Sequence, residues 1–195
     1  MDGCMTKEEA IKIFESTGAL LNGHFMLTSG LHSPQYFQCA KVLQHPRYTE
    51  LLCNEIIKNV KDERIDCVIS PAVGGIVVGQ ECGRLLKCRA IFAERESGVM
   101  TLRRGFEIRH DERVLVVEDV VTTGGSVKEV VGLVKSVGAE VAGIGFIVDR
   151  SNGKKLFEEP AYPVFQMDVV THKPDKCPLC KEGVQLVKPG SRNLK

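Results

Sequence analysis

No stretch of this sequence stays apolar for the roughly 20 residues needed to cross a bilayer. The opening Met1-Asp2-Gly3-Cys4-Met5-Thr6-Lys7-Glu8-Glu9 lacks the basic segment and apolar run of a secretory leader. Together these absences predict a cytoplasmic protein with no membrane partner. Net charge is nearly absent too. The 26 Lys+Arg against 25 Asp+Glu leave +1, which argues against bulk capture of nucleic acid while allowing a local basic pocket. No internal repeat, low-complexity tract or linker interrupts the 195 residues, so one domain with a sizeable core is expected.

Cysteine, by contrast, is plentiful, with eight residues. Without an export route these thiols are expected to stay reduced. Cys53, Cys67, Cys82 and Cys88 sit among apolar neighbours and read as small buried hydrophobes. Cys177-Pro178-Leu179-Cys180 has the spacing of half a zinc site. No second pair and no nearby Cys–His pair completes it in the sequence, so no protein-held metal is assigned.

Thr6-Lys7-Glu8-Glu9 is a capping-box signal that predicts a helix to about Ser16. Residues 23–38, rich in Gly, Ser, Pro and His, predict a loop or hairpin. Tyr48, Leu52, Ile56 and Val60 recur every four positions and mark a helix face. Short apolar runs at 65–70, 90–93, 114–117 and 141–148 read as strands covered on both faces. Helical patterns at 76–87 and 126–137 lie between them, so the fold class is α/β with a central parallel sheet flanked by helices. The proline-bearing end of the chain, with Pro160, Pro163, Pro174, Pro178 and Pro189, is expected to wrap the core rather than extend its sheet.

Ligands of open parallel sheets bind beyond the carboxyl ends of the strands. The residues just past each predicted strand are therefore informative. The first strand leads into Ser70-Pro71-Ala72-Val73-Gly74-Gly75, and the third into Glu118-Asp119-Val120-Val121-Thr122-Thr123-Gly124-Gly125-Ser126. The fourth leads into Asp149-Arg150-Ser151. Three hydroxyls and two glycines opening a helix make a phosphate cradle, because free N–H groups and the helix dipole favour an anion there. No Gly-Lys-Ser/Thr comes after the glycines, so this is not a Walker loop. Two acids beside a phosphate site make sense if the ligand also offers hydroxyls or a metal, as a ribose phosphate does. The bland alternative is a capped helix after a strand that ends in acids.

Residues 118–126 resemble the phosphoribosyl pyrophosphate (PRPP) signature of the type I phosphoribosyltransferases: after an apolar strand, two acids, two apolar residues, Thr, a small residue, Gly and a small or hydroxyl residue. The stretches 23–30, 33–37, 71–76 and Asp149-Arg150 are similar to the orotate branch, and the ending 177–183 with 188–192 resembles its thermophile-type subgroup. The resemblance implies a homodimeric transferase with a small hood built from about 1–40 and 169–195 on a single domain, 1–195. It implies that Glu118 and Asp119 hold the ribose hydroxyls, that Thr122, Thr123, Gly124, Gly125 and Ser126 hold the 5′-phosphate, and that Val120, Val121 and Arg95 also belong to the PRPP site. Ala72, Val73, Gly74 and Gly75 would form the pyrophosphate loop. Thr122, Arg150, Tyr36 and Phe37 would meet orotate. A magnesium ion would be held mainly through PRPP and water.

The family's lysines are absent at the matching positions Thr28 and Gly74, and residues 94–105, matching a mobile loop, contain no lysine or histidine. Arg95 matches the family, and Arg103 and Arg104 are candidates to grip pyrophosphate, against the alternative of a solvated charged turn. A purine-specific phosphoribosyltransferase is the rival within the class. A PRPP-sensing regulator is the rival outside it, weakened by the lack of a winged-helix segment or basic excess.

Overall fold

The computed structural model describes residues 5–189 except 28, 62 and 169; Thr28 and the end of the expected hood lie outside the described residues. Helix α1 (Lys7–Ser16) starts where expected. The Thr6 hydroxyl accepts from Glu9 N–H at 3.2 Å, and Glu9 accepts from Thr6 N–H at 2.8 Å. This reciprocal cap satisfies two otherwise orphaned donors. Strands β1 (Leu20–Met26) and β2 (His32–Phe37) then form an antiparallel hairpin that is a sheet of its own.

Helices α2 (Ala40–Leu43) and α3 (Pro46–Ile57) lead into β3 (Cys67–Pro71), α4 (Gly75–Leu86), β4 (Arg89–Glu96) and β5 (Val99–Leu102). Next come β6 (Arg113–Val121), α5 (Gly125–Ser136), β7 (Glu140–Asp149) and β8 (Ala161–Gln166), then a 3-10 turn (Pro174–Lys176) and α6 (Pro178–Lys181). The main sheet runs β5-β4-β3-β6-β7-β8, with every neighbouring pair parallel except β4–β5.

The continuous apolar runs have the expected cause. On β6, Leu115 and Val117 join a core with Phe14, Leu52, Ile56 and Val78, while Val114 and Val116 join a second core with Val127, Val130 and Val134. Alternate side chains therefore meet α1, α3 and α4 on one face and α5 on the other. Each such fully buried side chain contributes on the order of 1.5–3 kcal/mol.

Two expectations need correction. Proline at 163 does not keep its segment out of the sheet: β8 extends it, parallel to β7, with Pro163 opposite Phe146. As an edge strand it has one neighbour, so a missing N–H can face away without breaking a ladder. Residues 94–105 are not an open loop either. Most of them form a hairpin in which Glu96 pairs with Val99 across Ser97 and Gly98, both at positive φ (51° and 87°), the turn that matches strand twist.

The chain order creates a crevice. After β3 the chain crosses by α4 to β4 on one side, and after β6 it crosses by α5 to β7 on the other. The adjacent ends of β3 and β6 thus face connections that diverge onto opposite faces, which is where such sheets bind ligands.

Candidate active site

The loops after β3 and β6 meet across this crevice. Gly74 and Gly75 open α4 against the two acids. A Cβ on Gly74 would lie 2.4 Å from Asp119 Oδ2, and one on Gly75 would lie 2.9 Å from Glu118 Oε1. Only a bare backbone allows this approach. The Ala72–Val73 peptide just before is cis.

The acids are fixed by the backbone beside them. Glu118 Oε1 accepts from Asp119 N–H at 3.0 Å, and Asp119 Oδ1 accepts from Val120 N–H at 2.9 Å. Burial, with the Asp119 carboxylate next to it, pushes Glu118 up from an ordinary value near 4.5 to about 9. Glu118 therefore holds a proton at neutral pH until a ligand offers hydroxyls or positive charge.

Beyond the acids lies a cleft of about 280 Å³, lined by Arg95, Glu118, Val120 and Val121 and by residues 122–127. Its floor is the start of α5. Gly124 stands at the N-cap with φ 72°, and a Cβ there would strike the Phe157 ring at 2.9 Å. No side chain caps this helix, so its first amides face a cleft edged by Thr122, Thr123 and Ser126. An open helix N-terminus with three hydroxyls suits a phosphate monoester.

Arg150 comes directly after β7, the next strand over. Its main-chain N–H donates to Val121 O at 2.8 Å. Its Nε is buried without a hydrogen-bond partner, and burial lowers its proton affinity while the neighbouring Tyr36 raises it. Among the described residues no ion pair joins it to the adjacent Asp149, whose Oδ1 accepts from Ser151 N–H at 2.8 Å. A half-buried guanidinium whose Nε has no partner suits a carboxylate.

Of the two aromatics expected to border the base, Tyr36 lies near Arg150, its hydroxyl donating to Gln38 Oε1 at 3.1 Å. Phe37 is a correction. It is 5% exposed and packs edge-on to Phe14 at 4.8 Å, because neighbouring residues of a strand face opposite sides. Sequence reasoning also missed Cys39, whose thiol is pushed up by burial and then by Asp119 and Glu118, which puts the exit of the hairpin beside the acids.

Arginines of the β4–β5 hairpin are engaged locally. Arg95 lines the cleft, pairs with Glu129 at 2.9 Å and donates to Gly98 O at 2.8 Å. Arg104 makes a two-pronged pair with Glu94 at 2.6 and 2.9 Å, over the Phe92 ring, and Arg103 reaches Glu96 at 3.3 Å.

Residues 41–177 match the phosphoribosyl transferase domain family. The chain is 56% identical to the orotate phosphoribosyltransferase of Chlorobaculum parvum over 189 residues, 97% of this chain and 98% of that one. It is 55% identical to that of Caldanaerobacter subterraneus subsp. tengcongensis over 190 residues, 97% and 100% of the two chains. The chain belongs to the orotate phosphoribosyltransferase family.

The crystal structure of orotate phosphoribosyltransferase from Aeropyrum pernix superposes with a TM-score of 0.68 at 23% identity, covering 80% of this chain and 92% of that one. Adenine phosphoribosyltransferase from Thermoanaerobacter pseudethanolicus superposes with 0.61 at 16% identity, over 68% and 88%. The fold is therefore that of the type I phosphoribosyltransferases.

Proposed function

We propose that this chain transfers the 5-phosphoribosyl group of PRPP to orotate, giving orotidine 5′-monophosphate and pyrophosphate in pyrimidine biosynthesis. The observation that carries the choice of base is Arg150. A half-buried guanidinium with an unpartnered Nε favours an anion, and orotate brings a carboxylate where adenine and hypoxanthine bring none. Comparing turnover of orotate, adenine, hypoxanthine and xanthine tests this; a purine turned over faster than orotate would overturn it.

The geometry supports a role for each group. The open amides of α5 with Thr122, Thr123 and Ser126 hold the 5′-phosphate, and Glu118 and Asp119 take the ribose 2′- and 3′-hydroxyls. A ring nitrogen of orotate attacks C1 of the ribose as the bond from C1 to pyrophosphate breaks. Positive charge grows on the sugar, and the two acids lie where it is stabilised. Holding both reactants in line removes much of the remaining barrier. Two carboxylates against the bare backbone of Gly74 and Gly75 offer hard oxygen donors without a protein cage, which fits a magnesium ion held mostly by substrate oxygens and water. When bound it supplies positive charge against the leaving pyrophosphate. We propose further that the chain works in the cytoplasm as a homodimer, each subunit one domain whose two ends form a hood, without nucleic acid or membrane partners. Exposed Leu51 on α3, Val77 on α4 and Val73 before it offer apolar surface for such a contact, and no helix among the described residues is long and apolar enough to cross a membrane.

Gly74→Ala should lower kcat/KM for PRPP by about 10- to 100-fold, because the added methyl displaces the Asp119 carboxylate. Steady-state kinetics beside a melting curve check it, and wild-type kinetics would show that the carboxylate need not sit against this loop.

Arg103 and Arg104 stand in for the family's missing lysines. Their exposed ion pairs with Glu96 and Glu94 hold them weakly, since such pairs are worth only about 0–1 kcal/mol, so they can be exchanged for pyrophosphate. Arg103→Ala/Arg104→Ala should lose most activity. Mixing these subunits with Asp119→Asn subunits should recover activity if the hairpin reaches the neighbouring site. Near-normal rates in the double variant alone would leave Arg95 and backbone donors to stabilise the leaving group.

A further inference from the structure

The half-site Cys177-x-x-Cys180 is completed in space. His24 on β1 and His32 at the start of β2 lie 153 and 148 residues from the cysteines they meet. His24 Nε2 lies 3.0 Å from His32 Nδ1, 3.4 Å from Cys177 Sγ and 3.7 Å from Cys180 Sγ, and His32 Nδ1 lies 3.3 Å from Cys180 Sγ. All four ligand atoms fall within 4.8 Å of one another. His24, His32 and Cys177 are buried at 2, 4 and 1% exposure, and Cys180 forms the outer corner.

Hydrogen bonding alone does not account for this convergence. His24 Nδ1 lies 2.8 Å from Val184 O, a carbonyl that can only accept, so Nδ1 carries the ring proton and Nε2 presents a lone pair. One lone pair cannot accept from three partners at once. A single cation at the centre would use all four atoms. With Zn–N near 2.0–2.1 Å and Zn–S near 2.3 Å, tetrahedral ligand atoms stand roughly 3.3–3.8 Å apart, and the four spacings given above, 3.0–3.7 Å, lie close to that. The bond to Val184 is also the outer support that metal-bound imidazoles use to fix their tautomer.

We infer that His24, His32, Cys177 and Cys180 form a closed, structural zinc site that fastens the β1–β2 hairpin to the C-terminal segment. Two sulfurs and two nitrogens in a compact set select zinc over magnesium, which prefers oxygen. Four protein ligands leave no open position, so the site is structural rather than catalytic. It strengthens a thin seam. Met26 N–H donates to Val187 O at 2.9 Å, Val187 N–H to His24 O at 2.8 Å, and His32 and His172 exchange bonds of 2.9 and 2.8 Å. A metal cross-link between segments so far apart in the chain removes much of the freedom of the open form.

The test starts with full-length protein purified without chelator. Elemental analysis should find one zinc per chain. A zinc-selective chelator, with magnesium left in place, should remove it and lower the melting temperature by about 5–15 °C, reversed by zinc but not by magnesium. Cobalt loaded into the stripped wild-type protein should show the intense visible bands of tetrahedral thiolate coordination. Cys177→Ser/Cys180→Ser should lose both the zinc and those bands. The inference fails if the reduced wild-type protein takes up no zinc, or if cobalt gives the pale spectrum of an octahedral site. It also fails if the denatured native protein shows six free thiols instead of eight because these two cysteines are joined to each other.

Discussion

Glu118→Gln is expected to lose turnover by about 100-fold or more while becoming the more stable protein as pH rises. The loss comes from removing a carboxylate at the centre of growing positive charge. The gain comes from burial. Unfolded, this carboxyl gives up its proton near 4.5; folded, it keeps it to about 9. Between those values the folded chain binds a proton that the unfolded chain has released, so wild-type stability from this group falls with rising pH. Glutamine keeps the acceptor for Asp119 N–H and has no proton to lose. The variant's advantage should therefore be negligible near pH 4.5, grow towards pH 9, and amount to about 1–3 kcal/mol at pH 7. Urea unfolding of both proteins across this range measures it. A difference independent of pH would mean that Glu118 is ionised in the free protein. Asp119→Asn should lose turnover similarly and is the control for effects of charge alone.

The second large effect is at Arg150. Arg150→Ala should raise KM for orotate by about 100-fold while changing that for PRPP by less than about threefold, because a carboxylate left unpaired in a closed pocket costs several times a neutral hydrogen bond. The same change removes a half-buried guanidinium whose Nε has no partner, so the melting temperature should hold or rise. Equal effects on both substrates would make Arg150 a structural residue of the β7–β8 end.

How far the chain could be read before folding depended on the range of each cause. Strands β3, β6 and β7 and the crossover helices were legible because their apolar runs and spacing are local consequences of being covered on both faces. The uncapped helix start at 122–126 was legible because its glycines and hydroxyls are a local signal of where α5 begins. Strand β8 was not: Pro163 argues against a strand unless the strand is known to lie at an edge, and edge position belongs to the whole sheet. The pairing of Glu94 and Glu96 with Arg104 and Arg103 depended on Ser97 and Gly98 closing a hairpin rather than a loop. Phe37 was misassigned because residues 23–38 carry too weak an alternation to say which of Tyr36 and Phe37 faces inward. Cys177 and Cys180 found no partners in the sequence because theirs lie at the other end of it.

That last separation also sets an order of events in the cell. Met26 is synthesised early, yet the carbonyl it donates to belongs to Val187, made 161 residues later (187 minus 26). At about 5–20 residues per second the hairpin waits roughly 8–30 s for its partner. By then every strand of the main sheet and both crossover helices have been synthesised. The six-stranded sheet can therefore assemble before the hairpin meets its later-made partner, and joining those two segments comes late.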